Sequence, residues 1–269
     1  MSEGRFELKY AIERKHRDKI LDLVTSAVKP DPHGRALREV TPGAGSKHPA
    51  IGYAVHSLYF DEPNLEGYSR RLAEARIRNR VRIRTYGHPG ETQPIWLESK
   101  RKLGRKVIKQ RIRVGDSDAW AQGDAARPWE LAIDRAQGDA QRAATRWKNV
   151  VDNREMRPVC VVHYLRECYQ SGRARLTLDH RVRASAAGSV IDYRGVGDVP
   201  IIPEDWLVLE LKFDDFEPAW MHDICHTLGL TEEPISKFAL GVAHIHRSDR
   251  PGELRYLTPH SLLRRGATT

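Results

Sequence analysis

The chain has 269 residues, of which 40% are hydrophobic and 30% charged, and its formal net charge is +9. This composition supports a folded core in one large domain or two small ones, and the excess of bases favours an anionic partner such as nucleic acid, a nucleotide or a phosphate polymer. The three cysteines form no CxxC pair and no apolar run could cross a bilayer, so we expect a cytoplasmic protein with no disulfide framework, zinc knuckle or membrane segment.

Alternation of apolar and polar residues predicts eight strands. In chain order they cover residues 5–10, 54–61, 76–86, 94–102, 106–114, 159–168, 174–182 and 206–213. Short links that contain Gly or Pro favour antiparallel neighbours. Helices are predicted at residues 12–28, 127–150 and 217–228, and Ser236 is placed to cap a last helix. Residues 1–247 form a single predicted domain, in which 30–52 is a loop, and 248–269 form a basic C-terminal tail.

One predicted strand carries a run of bases without an acid. Residues 76–84, RIRNRVRIR, place arginine at every even position and aliphatic residues at most odd positions. Same-face neighbours on a strand lie about 6.7 Å apart, so adjacent arginines repel each other by roughly 0.6 kcal/mol in bulk water and about 2–3 kcal/mol at an effective dielectric of 20. A merely solvated face has no reason to accept this repulsion repeatedly, whereas a face that binds a polyanion does. Nearly every other predicted strand also has one apolar face and one basic face.

Eight strands are enough to close a barrel whose interior holds side chains or one slender ligand. If the polar faces turn inward, the aliphatic rows pack outward against the three helices, and closure removes the sheet edges. The sequence therefore predicts an α+β fold, an eight-stranded antiparallel β-barrel tunnel with a charged lumen and outer helices. An open sheet with one basic face is the alternative. Trp96, Trp206 and Trp220 are expected to anchor the outer core.

A few acids share the basic faces, namely Glu7, Glu98, Asp179 and Glu210. One role for them is internal salt bridging, which keeps an empty basic lumen tolerable. The other is to bind Mg²⁺ or Mn²⁺, which prefer one or two carboxylates plus phosphate oxygens and water. Such a metal and the basic side chains together would stabilise phosphoryl transfer, where catalysis is mainly positioning and charge neutralisation.

A series of short motifs resembles a known family. RFELKY, SLYFD, RRL, RIRTYG, WLESK, KQR, YLR, LTLD, LELK and ISKF follow one another in this order. Together they resemble the VTC domain, the polyphosphate polymerase module of the vacuolar transporter chaperone complex, which belongs to the triphosphate tunnel (CYTH-like) superfamily. The resemblance spans about residues 4–247. Hydrolytic members begin with an ExExK strand, whereas the same register here reads Arg5-x-Glu7-x-Lys9, which favours the polymerase branch.

The resemblance implies a metal-dependent phosphotransferase that adds the γ-phosphate of ATP to a growing polyphosphate chain, with Mn²⁺ or Mg²⁺ as cofactor. The catalytic bases that it implies are Lys9, Arg82, Arg84, Lys100 and Lys237. Further phosphate-binding residues would be Arg71, Lys109, Arg111 and Arg166, with Tyr59 lining the wall. Glu210 would hold the metal, and Glu98 is a second candidate ligand.

Two other functions fit the same residues. One is hydrolysis of tripolyphosphate or nucleoside triphosphates in the same tunnel. The other is a non-catalytic module that binds polyphosphate or nucleic acid. Nucleic acid is disfavoured because the arginine face of residues 76–84 has none of the interleaved aromatic side chains that stack on bases. The SPX domain and membrane helices that accompany the eukaryotic enzyme have no counterpart in the sequence.

Overall fold

The computed structural model describes residues 5–40, 45–87, 91–103, 106–116, 130, 133–134, 136–187 and 199–246. The predicted tail at 248–269, residues 41–44 of the predicted loop and residues 127–129 of the predicted second helix lie outside these ranges. One antiparallel sheet organises the described residues, and all eight predicted strands belong to it.

Eight long strands form the body of the sheet: β1 (Arg5–Glu13), β4 (Ile51–Asp61), β5 (Ile77–Gly87), β6 (Pro94–Leu103), β7 (Lys106–Asp116), β8 (Arg157–Ser171), β9 (Ala174–Ala186) and β11 (Trp206–Asp214). Their order across the sheet is β1-β11-β9-β8-β4-β5-β6-β7. Three short strands that were not predicted pair with β8, β4 and β9 respectively: β2 (Lys29–Pro30), β3 (Arg35–Ala36) and β10 (Val199–Pro200). The predicted loop at 30–52 therefore contributes to the sheet edge at two points.

The sheet curves around a central space but does not close. Within the described residues, β1 pairs only with β11 and β7 only with β6, so the prediction of a closed barrel was wrong. Glu7 of β1 and Lys100 of β6 both line the central space, where Glu7 Oε2 lies 3.8 Å from Lys100 Nζ. A closed barrel of eight strands has an interior wide enough only for side chains or one slender ligand. Here the concave face also accommodates a helix, and an open sheet provides the extra width.

Five helices have their full bounds within the described residues: α1 (Arg17–Val24), α2 (Glu66–Leu72), α3 (Gly138–Asn153), α4 (Ala219–Leu228) and α5 (Lys237–Ile245). The predicted helix at 12–28 is shorter, because Ile12 and Glu13 continue β1 and a 3₁₀ turn at Arg14–His16 precedes α1. The predicted cap is confirmed, since Ser236 Oγ accepts a hydrogen bond from Ala239 N at 3.3 Å. In the described part of the chain no helix is both long and apolar enough to cross a membrane.

The convex face of the sheet carries the aliphatic rows, as the alternation predicted. Ile20 of α1 and Ile224 of α4 are fully buried in one cluster with Leu209 of β11. On the other half of the sheet, Trp147 of α3 packs edge-on against Phe60 of β4, with 5.5 Å between the ring centroids. This burial fixes which face of each strand meets the helices and therefore turns the basic side chains to the concave face.

Helix α5 lies on the concave face, whereas the sequence predicted outer positions for three other helices and no position for this one. It packs on β8 and β9, and its approach depends on Gly241, where a Cβ atom would lie 2.9 Å from Val162 Cγ2 and 3.2 Å from Cys160 Sγ. Trp206 belongs to this inner cluster, so its assignment to the outer core was wrong. The helix fills part of the concave space, and its first residue, Lys237, lines the part that remains.

Candidate functional site

A cavity of about 840 Å³ occupies the concave space that α5 leaves open, and we call it the central cavity. Side chains from all eight long strands and from the first residue of α5 line it. The contribution of β9 is Arg175, near the start of that strand. Eleven of the twelve residues predicted for the site line it: Lys9, Tyr59, Arg82, Arg84, Glu98, Lys100, Lys109, Arg111, Arg166, Glu210 and Lys237. The fold thus brings Lys9 and Lys237, which are 228 positions apart in the sequence, to one cavity. Their individual roles stay predictions.

Arg71, the twelfth predicted residue, lies beside the central cavity rather than in it. It is close to the end of α2 and lines an adjoining cavity of about 440 Å³, where its Nη2 donates a hydrogen bond to the Pro234 carbonyl oxygen at 2.7 Å. The two cavities share five lining residues: Glu7, Lys9, Arg80, Lys100 and Ser236. The two cavities therefore adjoin along these side chains, and we call them together the bore. We call the end of the bore at Arg71, Arg78 and Lys102 the basic mouth.

Four of the five arginines in the run at 76–84 line this bore. Arg80, Arg82 and Arg84 line the central cavity, and Arg78 lines the adjoining one. Arg76 is the exception, because β5 begins at Ile77 and the Arg76 side chain is exposed. No carboxylate among the described residues forms an ion pair with Arg80, whose pKa is lowered by burial and by the charge of Arg82, against the effect of Tyr59. Arg80 is therefore a half-buried cation that an incoming anion would stabilise.

Glu98 organises the arginines at one side of the central cavity. Its Oε2 accepts a hydrogen bond from Arg82 Nε at 2.7 Å, and Arg84 Nη1 lies 3.8 Å from the same oxygen. Arg111 Nε lies 3.3 Å from Oε1. Burial alone would raise the pKa of Glu98, but Arg82 and Arg84 lower it to about 2. Glu98 is thus ionised at neutral pH and fixes the guanidinium groups in place, which is the salt-bridging role predicted for the acids.

A second charged cluster joins β8, β9, β11 and α5. Arg166 Nε donates to Asp179 Oδ1 at 2.6 Å, and its Nη2 donates to Glu210 Oε2 at 3.3 Å. Lys237 Nζ completes a ring, at 2.6 Å from Asp179 Oδ2 and 2.9 Å from Glu210 Oε1. All four residues are at most 9% exposed. Burial would raise the pKa of Glu210, but Lys212, Lys237 and Arg166 hold it well below its usual range.

The central cavity has a large excess of positive charge even after these ion pairs. Twelve lysine and arginine side chains line it, against the five carboxylates Glu7, Asp31, Glu91, Glu98 and Glu210. Charges of one sign in a low-dielectric cleft concentrate ligands of the opposite sign. Planar guanidinium groups also match the geometry of phosphate oxygens. The arrangement is therefore suited to an anion with several phosphate groups.

A divalent cation fits this site only together with a bound phosphate. Within the described ranges, no group of three or more His, Cys, Asp or Glu residues could hold a metal ion by itself. Mg²⁺ and Mn²⁺ often use one or two carboxylates and take their remaining ligands from substrate phosphates and water. Glu210 suits that arrangement better because two of its three cationic contacts are to lysines that a phosphate could take over, Lys237 and Lys212, each at 2.9 Å, and only one is to a guanidinium, Arg166 Nη2 at 3.3 Å. Glu98 is less suited, since guanidinium groups already surround it.

Several residues that line the cavity were not among the twelve predicted site residues. They are Tyr53, Arg80, Tyr86, Trp96, Tyr164, Arg175 and Lys212. The signal that could have found them is strand parity, because Trp96 lies on the same face of β6 as Glu98, and Tyr86 on the same face of β5 as Arg84. The assignment of Trp96 to the outer core was wrong, because its even position in β6 places its side chain on the concave face with Glu98.

The Lys100 ammonium should make anion binding depend on pH. Burial lowers the pKa of Lys100 to about 8, although the Glu7 carboxylate opposes the shift. The protonated amine binds phosphate, so we expect affinity for inorganic tripolyphosphate to fall as the pH rises through 8. In Lys100→Arg the guanidinium stays charged over this range, and the fall should disappear. Calorimetric titrations from pH 7 to 9.5 measure both profiles, and superimposable curves would contradict this role of Lys100.

Gly67 should be intolerant of any side chain because it touches a carboxylate that anchors α2. Asp61, at the end of β4, accepts hydrogen bonds from Gly67 N at 2.8 Å and Tyr68 N at 2.9 Å. A Cβ atom on residue 67 would lie 2.5 Å from Asp61 Oδ1. We expect Gly67→Ala to lower the free energy of unfolding by about 1–3 kcal/mol in urea denaturation. In an Asp61→Ala background the same change should cost less, and equal costs in both backgrounds would show that this contact is unimportant.

Comparisons with known proteins place the chain in a family. The family model for the VTC domain matches residues 4–246. A relative in Trypanosoma brucei brucei, named vacuolar transporter chaperone complex subunit 4, is 25% identical over an alignment of 228 residues, and the match covers 73% of this chain and 29% of the relative. The chain thus spans less than a third of the length of that relative.

Solved structures with a similar arrangement include two proteins of Pyrococcus horikoshii OT3. The PH1819 protein is 16% identical, with a TM-score of 0.42 and coverage of 88% of this chain and 97% of the other. The PH1012 protein is 13% identical, with a TM-score of 0.43 and coverage of 88% and 98%. Because the family model covers nearly the whole chain, the protein belongs to the VTC domain family.

Proposed function

We propose that this protein is a polyphosphate polymerase, which transfers the γ-phosphate of ATP to the end of a polyphosphate chain. The observation that carries the proposal is the convergence of twelve basic side chains on the central cavity, which continues into the basic mouth. From Arg78 to Arg84 the arginine row of β5 extends over six residue steps, or about 20 Å. That length exceeds a single triphosphate group, so the bore has room for a donor and for part of an acceptor chain.

Phosphoryl transfer requires mainly that the reacting groups are positioned and that developing charge is neutralised. In this bore Arg82 and Arg84 are held by Glu98, while Arg166 and Lys237 are held by Asp179 and Glu210. The cations are therefore already oriented before the substrate arrives, and little reorganisation is needed during the reaction.

A bound Mn²⁺ or Mg²⁺ would add charge neutralisation between donor and acceptor phosphates. Glu210 would hold this ion, together with phosphate oxygens and water. Phosphate binding and the exclusion of water would be the roles of the protein's own residues. Lys9 and Lys100, which line both cavities, would bind phosphates between the donor and the acceptor, and α5 would keep bulk water from one side of the bore.

The test is to incubate the purified protein with ATP and Mn²⁺ and to separate the products on a gel. We expect long polyphosphate chains, and we expect none when the metal is removed with a chelator. Free phosphate without chains would show that the protein is a hydrolase of the same fold. Tight, salt-dependent binding of single-stranded RNA that polyphosphate cannot displace, with no turnover, would instead indicate a nucleic-acid-binding module.

A further inference from the structure

The two ends of the bore differ in chemistry. The basic mouth carries Arg71, Arg78 and Lys102 together with the carboxylates of Glu74, Glu232 and Glu233, and among the described residues Phe238 is the one aromatic side chain that lines its cavity. The opposite end of the central cavity carries Tyr53, Tyr86 and Trp96 together with Arg111, and we call it the aromatic mouth. A phosphate group does not stack on an aromatic ring, whereas a nucleobase does. The difference between the two ends therefore bears on where the nucleoside part of a nucleotide lies.

Trp96 is the central feature of the aromatic mouth. It is half-buried in the cavity wall, and the Arg111 guanidinium lies 3.9 Å from the centroid of its ring. The same guanidinium lies 5.0 Å from the centroid of Tyr86. The register between β6 and β7 shifts between Ile95 and Trp96, and such irregularities commonly re-aim a side chain near a functional site.

The planar guanidinium of Arg111 occupies the position that a stacked base would take. Its side chain is 49% exposed, and the nearest carboxylate oxygen, on Glu98, is 3.3 Å from Nε. A base could displace the guanidinium from the ring or lie against its other face, because both Trp and Arg present flat surfaces that stack with bases. Tyr86, with Tyr53 packed edge-on at 5.8 Å, forms the adjoining wall.

The aromatic mouth connects directly to the phosphate-binding cations. The Tyr86 hydroxyl accepts a hydrogen bond from Arg84 Nη1 at 3.3 Å and donates one to Glu98 Oε1 at 3.4 Å. Trp96 lies opposite Arg84 in the pairing of β5 with β6. Four residue steps along β6 separate Trp96 from Lys100, which corresponds to about 13 Å. This span suits an extended nucleoside triphosphate whose base is at Trp96 and whose terminal phosphate is near Lys100.

We propose that Trp96, assisted by Arg111 and Tyr86, binds the base of the nucleoside triphosphate. The inference rests on the proposed function, because it takes the cations of the central cavity to be the triphosphate site. It also assigns an orientation to the nucleotide in that site. The nucleotide enters through the aromatic mouth with its γ-phosphate leading, and the polyphosphate chain extends through the basic mouth.

The experiment compares two ligands that share the triphosphate group and differ in the nucleoside. Dissociation constants for ATP and for inorganic tripolyphosphate are measured by calorimetry for the wild type, Trp96→Ala and Trp96→Phe. We expect Trp96→Ala to weaken ATP binding about tenfold and to leave tripolyphosphate binding within about twofold, because only ATP has a base to stack. Trp96→Phe should retain most of the ATP affinity. Phe216→Ala, at a surface residue that is 88% exposed, is the control.

The outcomes separate this proposal from the proposed function. Equal weakening of both ligands in Trp96→Ala, or no weakening of ATP, would overturn the base-binding role and leave the phosphate site in place. A wild-type protein that fails to bind tripolyphosphate would instead overturn the proposed function, and the base-binding role with it. Circular dichroism spectra of the variants show whether they remain folded, and Trp96→Phe repeats the ligand comparison with a smaller change in volume.

Discussion

Replacement of Asp179 by alanine should lower the free energy of unfolding by roughly 3–5 kcal/mol, because it removes one of the two carboxylates that neutralise the buried Arg166 and Lys237. Asp179 is fully buried and contacts Arg166 at 2.6 Å and Lys237 at 2.6 Å. Urea denaturation followed by circular dichroism measures the change. Asp139→Ala is the matched control, because Asp139 forms an ion pair with Arg142 and its side chain is 95% exposed. An exposed pair of this kind should contribute less than about 1 kcal/mol.

The same cluster predicts a direction for acid denaturation. Burial would raise the pKa of Asp179, but Arg166 and Lys237 lower it below its usual value. A carboxylate whose pKa is lower in the folded state contributes stability above its unfolded pKa of about 4, and this contribution is lost as the pH falls through the folded value. The wild-type advantage over Asp179→Ala should therefore be present at pH 6 and shrink below pH 4. An advantage that is the same at pH 3 and pH 6 would show that the ion pairs do not stabilise the fold.

Replacement of Arg82 by alanine should reduce turnover by about 10²–10³-fold, because one preorganised cation is lost from the site of charge development. Arg82 lines the central cavity and bonds both Glu98, at 2.7 Å, and the Tyr59 hydroxyl, at 3.2 Å. The fold should persist, since Arg84 and Arg111 remain beside Glu98. Polyphosphate formed from ATP and Mn²⁺ per unit time is the readout.

A matched control for Arg82→Ala is available on the neighbouring strand. Arg101 of β6 is exposed and does not line the central cavity, so Arg101→Ala removes the same charge from the protein without removing it from the site. It should retain wild-type turnover within about twofold. Equal losses in the two variants would mean that net charge, and not position in the bore, determines the rate. Wild-type turnover in Arg82→Ala would contradict the proposed function.

Alternation along the strands was enough to predict most of the site. A strand has a period of two, so the bases at 80, 82 and 84 had to share a face once the aliphatic residues between them were buried. The same reasoning placed Lys9, Lys100 and Arg166 on basic faces, and the structure brings these faces to one cavity. Which residues bind which phosphate does not follow from alternation and stays a prediction.

Other features depend on information that alternation does not contain. Closure of a sheet depends on strand tilt, stagger and twist, which leave no trace in a period-two pattern. Helix α5 is apolar around most of its surface, with Phe238, Leu240 and Val242 all buried, so its sequence does not indicate which face of the sheet it covers. Helix α2 has only seven residues, too few for a helical period to stand out.

The open edge between β1 and β7 changes how a long molecule can reach the bore. A closed ring admits a chain only at its two ends, so a polymer would have to be threaded. Glu7 of β1 and Lys100 of β6, the strand next to β7, form an ion pair whose side chains are 26% and 39% exposed, and an exposed pair of this kind contributes only about 0–1 kcal/mol. A phosphate that binds Lys100 would replace this contact at little cost. We therefore expect that a long chain can enter from the side, without a free terminus at the entrance.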